Sequence, residues 1–409
     1  MENLIVRHTG NTFLFKWLNE LAEAKLSRLK EHSDRVTGDL IFRSLSPGQE
    51  GHLHQANISL LSTRSRNDFS KQLLSRRNDA DWGAMVEQVC VLALAELRMG
   101  EPVHLVTALQ PIEDEQYLLA PLAPLGNPTI LFGEGGTAKS HLALICGLIV
   151  ESAWGDNPLF LFPGPTPRRT LYLDWEMTEP DFRRRLHYVA RGCNRPDAAL
   201  NYRECRMPLA DDQERIAECI ADLKVEFLII DSVAGAAGGD ILSAETALRF
   251  FGALRQLRAT SLVIAHTAKN NESKKRTPFG SVFFWNYARS IWEVVAHQDE
   301  GGLELDVGMF HRKSNVSGLG KPMGFKFTFQ PDATLISESS IRDIPSLAER
   351  MGLKSRIQDY LKQGLAKSKD IGESLGESPK TIGVRLNELK KDGRVVLLPG
   401  DLWGLKKDE

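Results

Sequence analysis

A chain of 409 residues exceeds what one ordinary hydrophobic core supports, so two or three folding units are expected. Its 25% charged and 42% hydrophobic residues are ordinary for a globular protein and exclude a low-complexity or fibrous chain. The net charge of −2 excludes a polycation, so any affinity for nucleic acid must sit in a local patch.

Five cysteines (Cys90, Cys146, Cys193, Cys205, Cys219) are odd in number and form no C-x-x-C pair. Reduced thiols in a cytoplasmic compartment are expected, without a zinc site or disulfide framework. The longest apolar run, Leu142 to Val150, is too short to span a bilayer. The N-terminus lacks the basic-then-apolar order of a signal peptide, which again points to the cytoplasm.

Residues 1–110 carry helical patterns, notably Phe13 to Leu29 and Trp82 to Leu97, around a polar stretch from Ser44 to Ser65. A mainly helical region is expected there, either a partner-docking element or a cap on the next domain. No chemical motif falls in it. Residues 111–335 alternate short apolar runs with helical ones. The strand candidates are Thr129–Phe132, Thr170–Asp174, Phe227–Asp231, Ser261–Ala265, Ala288–Val295, Leu303–Phe310 and Phe325–Phe329. Alternation of this kind predicts an α/β domain with a largely parallel sheet, and the last strands predict an antiparallel extension. Residues 336–348 read as a linker. In residues 349–409 three helical patterns (Leu353–Gln363, Ser368–Leu375, Pro379–Lys391) precede two short strands around Pro399-Gly400-Asp401. That is the order of a winged helix-turn-helix. Ser378 as N-cap, Pro379 after it and Gly393 past the end bound the third helix.

The chemistry begins at residues 128–140, an apolar strand running into GEGGTAKS. Glycine-freed N–H groups at the start of a helix form a cradle for a polyphosphate. Gly133, Gly135, Gly136, Thr137, Ala138, Lys139 and Ser140 are the candidate nucleotide-binding residues. Lys139 would reach the β- and γ-phosphates, and the Ser140 hydroxyl would ligate Mg²⁺. Ala138 stands where the G-x-x-x-x-G-K-[ST] pattern has its second glycine; its methyl is expected to tighten the turn. Downstream, LYLDWEM places Asp174 and Glu176 at a strand end, where a carboxylate can orient the water that attacks a γ-phosphate. Glu176 is the better placed of the two. FLIIDS closes a buried-type strand with Asp231, a candidate to hold Mg²⁺. VIAHTAK brings His266 to another strand end as a sensor of the γ-phosphate, with Lys269 beside it. Arg289, Arg312 and Lys313, in FWNYARS and HRKSN, are candidates for a positive finger supplied by a neighbouring subunit.

In this order, GEGGTAKS, LYLDWEM, FLIIDS, VIAHTAK, GSVFFWNYARS and HRKSN resemble the RecA-like ATPases of the RepA type over about residues 100–335. Those proteins are relatives of hexameric replicative helicases from plasmids, phages and other mobile elements. The resemblance implies a RecA-like core that assembles into a homo-hexamer or other homo-oligomer, with ATP at subunit interfaces and single-stranded DNA through the ring. It places the family's catalytic glutamate at Glu176, its Walker B aspartate at Asp231 and its sensor histidine at His266. Arg289 falls in the family's G-S-x-x-x-x-N-x-x-R segment, a finger position.

From Arg350 onward, 13 Lys or Arg stand against 9 Asp or Glu, a net positive unit within a slightly acidic chain. Its third helix would turn Ile382, Leu386 and Leu389 inward and present Lys380, Thr381, Arg385 and Lys390 to duplex DNA, with Arg394 on the wing. The expected function is an ATP-hydrolysing, DNA-acting ring ATPase with ATP and Mg²⁺ as cofactors. The alternative is an ATP-gated DNA-binding regulator or helicase loader.

Overall fold

The computed structural model describes residues 3–9, 12–32, 35–99, 116–267 and 282–406, with isolated positions between 103 and 108. The first unit is a five-stranded antiparallel sheet in chain order: β1 (Leu4–Thr9), β2 (Thr12–Trp17), β3 (Ala22–His32), β4 (Arg35–Ser44) and β5 (Gly51–Ser59). Helices α1 (Thr63–Leu74) and α2 (Trp82–Met99) follow, and their buried side chains join those of the sheet in one core. Strict alternation drives the second strand: Phe13, Phe15 and Trp17 are buried while Leu14 and Lys16 are exposed. Trp17 stacks on Phe42, and Phe42 meets Trp82 edge-on at 5.9 Å. Burial of each phenylalanine contributes about 1.5–3 kcal/mol.

This corrects the helical expectation for Phe13 to Leu29. That stretch is two strands joined by a turn at 18–21, with Leu21 at φ 46°. Ala, Glu, Lys and Leu in β3 favour helices in isolation, but pairing with β2 and β4 and burial of Ala22, Ala24 and Leu26 outweigh that preference. The helix expected at Trp82 to Leu97 is present as α2.

The second unit is built on a nine-stranded sheet. Its elements in chain order are β6 (Tyr117–Ala120), β7 (Ala123–Pro124), β8 (Pro128–Gly133), α3 (Lys139–Ser152), β9 (Phe162–Pro163), β10 (Arg169–Asp174), α4 (Glu179–Gly192) and β11 (Asn201–Glu204). They continue with α5 (Leu209–Leu223), β12 (Val225–Asp231), α6 (Val233–Ala237), α7 (Ala244–Leu257), β13 (Thr260–His266), α8 (Val282–Tyr287), β14 (Ser290–His297), β15 (Glu304–Ser314), β16 (Met323–Phe329) and β17 (Thr334–Glu338). The sheet order is β11-β10-β12-β13-β8-β14-β15-β16-β17, while β6, β7 and β9 form a small separate sheet. From β11 to β14 every pairing is parallel; β15, β16 and β17 extend the sheet antiparallel, as the sequence suggests. Helix α3 is apolar on all sides and accordingly buried, from Leu142 to Val150. Two strands of the nine-stranded sheet, besides the three of the small sheet, escape the sequence patterns. Asn201–Glu204 is a polar edge strand, and Thr334–Glu338 forms the opposite edge. The linker expectation for 336–348 is therefore corrected: its start lies in β17, and Ile341 and Leu347 pack with Phe310 and Met351.

The third unit follows α9 (Pro345–Ala348) and comprises α10 (Leu353–Leu361), α11 (Ser368–Leu375), α12 (Pro379–Lys391) and the antiparallel pair β18 (Val395–Leu398) and β19 (Leu402–Leu405). The Ser378 side chain accepts the Thr381 N–H at 3.1 Å, and Gly393 has φ 70°. Among the described residues no helix is long and apolar enough to cross a membrane.

Candidate nucleotide site

Parallel pairing brings four strand ends together. Asp174 at the end of β10 lies in register with Asp231 at the end of β12, and His266 on β13 lies opposite Gly133 on β8. One strand, β13, thus separates the strand that leads into the glycine-rich loop from the strand that ends in Asp231. The carboxyl ends of such strands are where ligands bind in open α/β sheets.

The loop at 134–138 turns directly into α3. Gly136 has φ 77°, and Ala138, the N-cap position, sits at φ 60°, ψ 19°. The glycine of the motif would occupy that left-handed region freely; Ala138 occupies it at a cost of about 1–2 kcal/mol. Gly133 is needed for close approach, since a Cβ there would lie 2.2 Å from the Val294 carbonyl oxygen. Lys139 is buried and folds back over the loop, donating to the carbonyl oxygens of Gly133 (3.0 Å) and Glu134 (2.5 Å) and to Thr137 Oγ1 (3.2 Å). Burial lowers its pKa to about 8, against the pull of Asp231, Glu176 and Glu134.

Asp231 is 2% exposed, and burial raises its pKa. The Tyr172 hydroxyl donates to its Oδ2 at 2.7 Å and Ser140 hydrogen-bonds to it, while Oδ1 is buried without a partner among the described residues. A buried carboxylate oxygen left open beside the Ser140 hydroxyl suits a hydrated divalent cation, so the residues present fit Mg²⁺. Asp174 lies one layer behind. Its Oδ1 accepts the N–H groups of Glu176 (2.8 Å) and Met177 (2.9 Å), and burial raises its pKa to about 6. It holds the turn that presents Glu176.

Glu176 itself is exposed and accepts the Ser232 hydroxyl; His266 Nε2 lies 3.5 Å from the same Oε1. The His266 hydrogen bond, followed by that of Ser232, holds its carboxyl below the usual range. The Thr267 N–H donates to Gly133 O at 3.2 Å, tying the end of β13 to the base of the loop. Tyr172 and Ser232 escaped the sequence reading. Tyr172 is hidden in an apolar strand run, and only strand register shows that its hydroxyl points at Asp231.

The finger candidates lie elsewhere. The Arg289 N–H donates to Pro128 O at 3.0 Å, at the opposite end of β8 from the loop. Five strand residues separate the two ends, about 17 Å. Lys313 pairs with Ile291, which lies opposite Ile130 on β8, and its Nζ donates to the carbonyls of Trp285 (2.6 Å), Asn286 (3.1 Å) and Ala288 (2.8 Å). Arg312 bonds Glu293 and the Arg350 carbonyl. None of the three serves the loop of its own chain. Lys269, Gly280 and Ser281 lie outside the described residues. On α12, Lys380, Thr381, Arg385 and Lys390 are exposed, as is Arg394 beyond it, while Ile382, Leu386 and Leu389 are buried. Arg385 is engaged by Glu388 at 2.9 Å.

The AAA domain family matches residues 96–272, a span that holds the loop, both acidic strand ends and His266. The glycine-rich loop between β8 and α3 and the parallel strand order suit a P-loop nucleotide-binding fold. No curated protein matches. Among solved structures, the KaiC-like protein of the hyperthermophilic archaeon Pyrococcus horikoshii OT3 is similar at 17% identity and a TM-score of 0.37, over 57% of this chain and 99% of that one.

Proposed function

We propose that the chain is an ATP-hydrolysing, DNA-acting ring ATPase of the RepA type, a replicative helicase with a C-terminal winged helix-turn-helix that holds duplex DNA. The observation that carries this reading is the convergence of Lys139, Ser140, Asp231, Glu176 and His266 on adjacent strand ends. The triphosphate would lie along the N–H groups of the loop, with Lys139 exchanging the carbonyls of Gly133 and Glu134 for phosphate oxygens. Ser140 and the open Oδ1 of Asp231 would hold Mg²⁺, which supplies charge neutralisation across the β- and γ-phosphates.

Glu176, ionised at neutral pH, orients the attacking water and draws off positive charge as its proton is released. His266 shares that carboxylate, so departure of the γ-phosphate alters its hydrogen bonding and, through Thr267, the base of the loop. The positive finger comes from Arg289 of an adjacent copy. Lys380, Thr381, Lys390 and Arg394 hold DNA phosphates, with Arg385 released from Glu388 to join them.

Steady-state ATP hydrolysis with and without single-stranded DNA tests this. Stimulation by single strands, with a loss of about 10²-fold or more in Glu176→Gln and in Lys139→Ala, is the expected result. Hydrolysis indifferent to Glu176→Gln would sink the catalytic assignment. Intact hydrolysis that ignores single strands would replace the helicase with an ATP-gated DNA binder working through α12.

A further inference from the structure

An open groove of about 1120 Å³ runs between the third unit and strands β16 and β17. Its frame is fixed, because Ile341, Leu347 and Met351 pack with Phe310 beneath it. Three of its cations are paired: Arg342 and Lys362 with Asp359 at 3.0 and 3.1 Å, and Lys354 with Asp392 at 3.0 Å. Lys321, Arg394 and Lys406 make no ion pair among the described residues, against one unpaired acid, Glu338. Lys321 stands on the sheet wall beside Gly320, whose N–H donates to the buried His311 at 2.8 Å. Arg394 and Lys406 stand on the opposite wall, where the Lys406 N–H donates to Arg394 O at 3.0 Å. Unpaired positive charge on both walls of an open groove suits a polyanionic chain better than a compact ion.

A second, independent feature lines the same groove. Phe160 is 54% exposed there, although its backbone is left-handed at φ 51°. Bulky side chains seldom occupy that region, and strain of this kind collects at binding sites. The buried Asn157 holds the turn: its Oδ1 accepts the N–H groups of Leu159 and Leu161 at 3.1 Å each, and its Nδ2 donates to Leu161 O at 2.6 Å. Leu159 and Leu161 are buried, so Phe160 is turned outward between them. An exposed ring beside unpaired cations offers a stacking platform for a base and partners for its phosphates. We propose that this groove binds a single nucleic-acid strand, with a base stacked on Phe160 and phosphates on Lys321 and Lys406. Arg394, assigned above to duplex DNA, also lines the groove, so duplex and single strand would meet there. The identity of the strand rests on the DNA-acting half of the reading above, not on hydrolysis.

Fluorescence anisotropy of a labelled oligothymidylate, titrated with the full-length chain in the absence of nucleotide, tests the groove. Lys321→Ala and Lys406→Ala should each weaken binding and flatten its log–log dependence on salt by about 0.7 per lysine. Phe160→Ala should weaken it about fivefold or more, and Phe160→Trp should restore it. Duplex binding should instead respond to Lys380→Ala and Lys390→Ala on α12, and hardly to Phe160→Ala. The three groove side chains are exposed, so folding should survive, and a thermal melt checks it. Strand binding that ignores the groove substitutions overturns the groove and leaves the DNA-acting reading standing. Failure to bind either strand or duplex overturns both. Polyglutamate that competes as well as the strand would mark a site for acidic protein and likewise overturns the proposal. Strand binding through Phe160 in a protein that hydrolyses nothing supports the groove and sinks the ATPase reading alone.

Discussion

Ala138 carries a methyl group on a left-handed residue at the mouth of the loop, φ 60° and ψ 19°. Replacing it by glycine removes about 1–2 kcal/mol of backbone strain but adds freedom to the unfolded chain, so Ala138→Gly should gain about 0.5–1 kcal/mol. Urea unfolding followed by fluorescence measures this, and a loss of stability would contradict the left-handed geometry. Next to it, Lys139 has a pKa lowered to about 8 by burial. The unfolded chain then binds more protons between about pH 8 and 10.5, so the free protein gains stability as pH rises through that window. Phosphate oxygens favour the charged form, so nucleotide binding above pH 8 must take up a proton. Calorimetry at pH 9 in buffers of different ionisation enthalpy should show uptake that vanishes near pH 6.5 and in Lys139→Ala. At Asp231, Tyr172→Phe leaves Oδ2 without its donor at 2.7 Å and should cost about 1.5–3 kcal/mol while sparing the fold.

Elements differ in how much of themselves they declare in sequence. Strands β8, β10, β12 and β13 were legible because burial on both faces makes them continuous apolar runs closed by Gly133, Asp174, Asp231 and His266. The helices of the third unit were legible through their caps, Ser378 and Gly393 above all. In contrast, β3 hid behind helix-forming residues, since its state is decided by neighbours far off in sequence, Ile41 across from Lys25 and Leu14 beside it. The loop residues, Glu176 and His266 could be placed from motif and strand end. The hydroxyls of Tyr172 and Ser232 could not, because their role depends on which strands are adjacent, and no local pattern records adjacency. The same adjacency makes Gly133→Ala a sharp test of sheet order. The new Cβ would stand 2.2 Å from Val294 O on β14, so β8 and β14 must part. A loss of several kcal/mol is expected, far above the few tenths typical of an exposed position. A neutral effect in thermal unfolding would mean that β14 does not border β8.

Across the whole molecule, the positive third unit is joined to the nine-stranded sheet by the Glu293 carboxylate, which pairs with Arg312 at 2.7 Å and stands 4.0 Å from Arg350. The first unit meets the sheet domain through Lys25 and Glu218 on α5. Neither contact reaches the phosphate loop, and neither supplies it with a guanidinium. Arg289 sits at the far end of the strand that carries the loop, about 17 Å away by strand rise, while Lys313 Nζ is held by the carbonyls of Trp285, Asn286 and Ala288 and Arg312 by Glu293. Phosphoryl transfer without a positive finger is slower by about 10³–10⁵-fold. On the proposed ring-ATPase reading the finger is Arg289 of a neighbouring copy, and hydrolysis per chain should then rise with protein concentration until every loop faces one. Arg289→Ala should lower the plateau about 10³-fold without weakening ATP binding to the loop, which Lys139 and Ser140 provide. Initial rates over a wide dilution series, alongside sedimentation at the same concentrations, measure both. A specific activity that holds constant while the protein dissociates to single chains would place the whole reaction within one chain and leave Arg289 outside it.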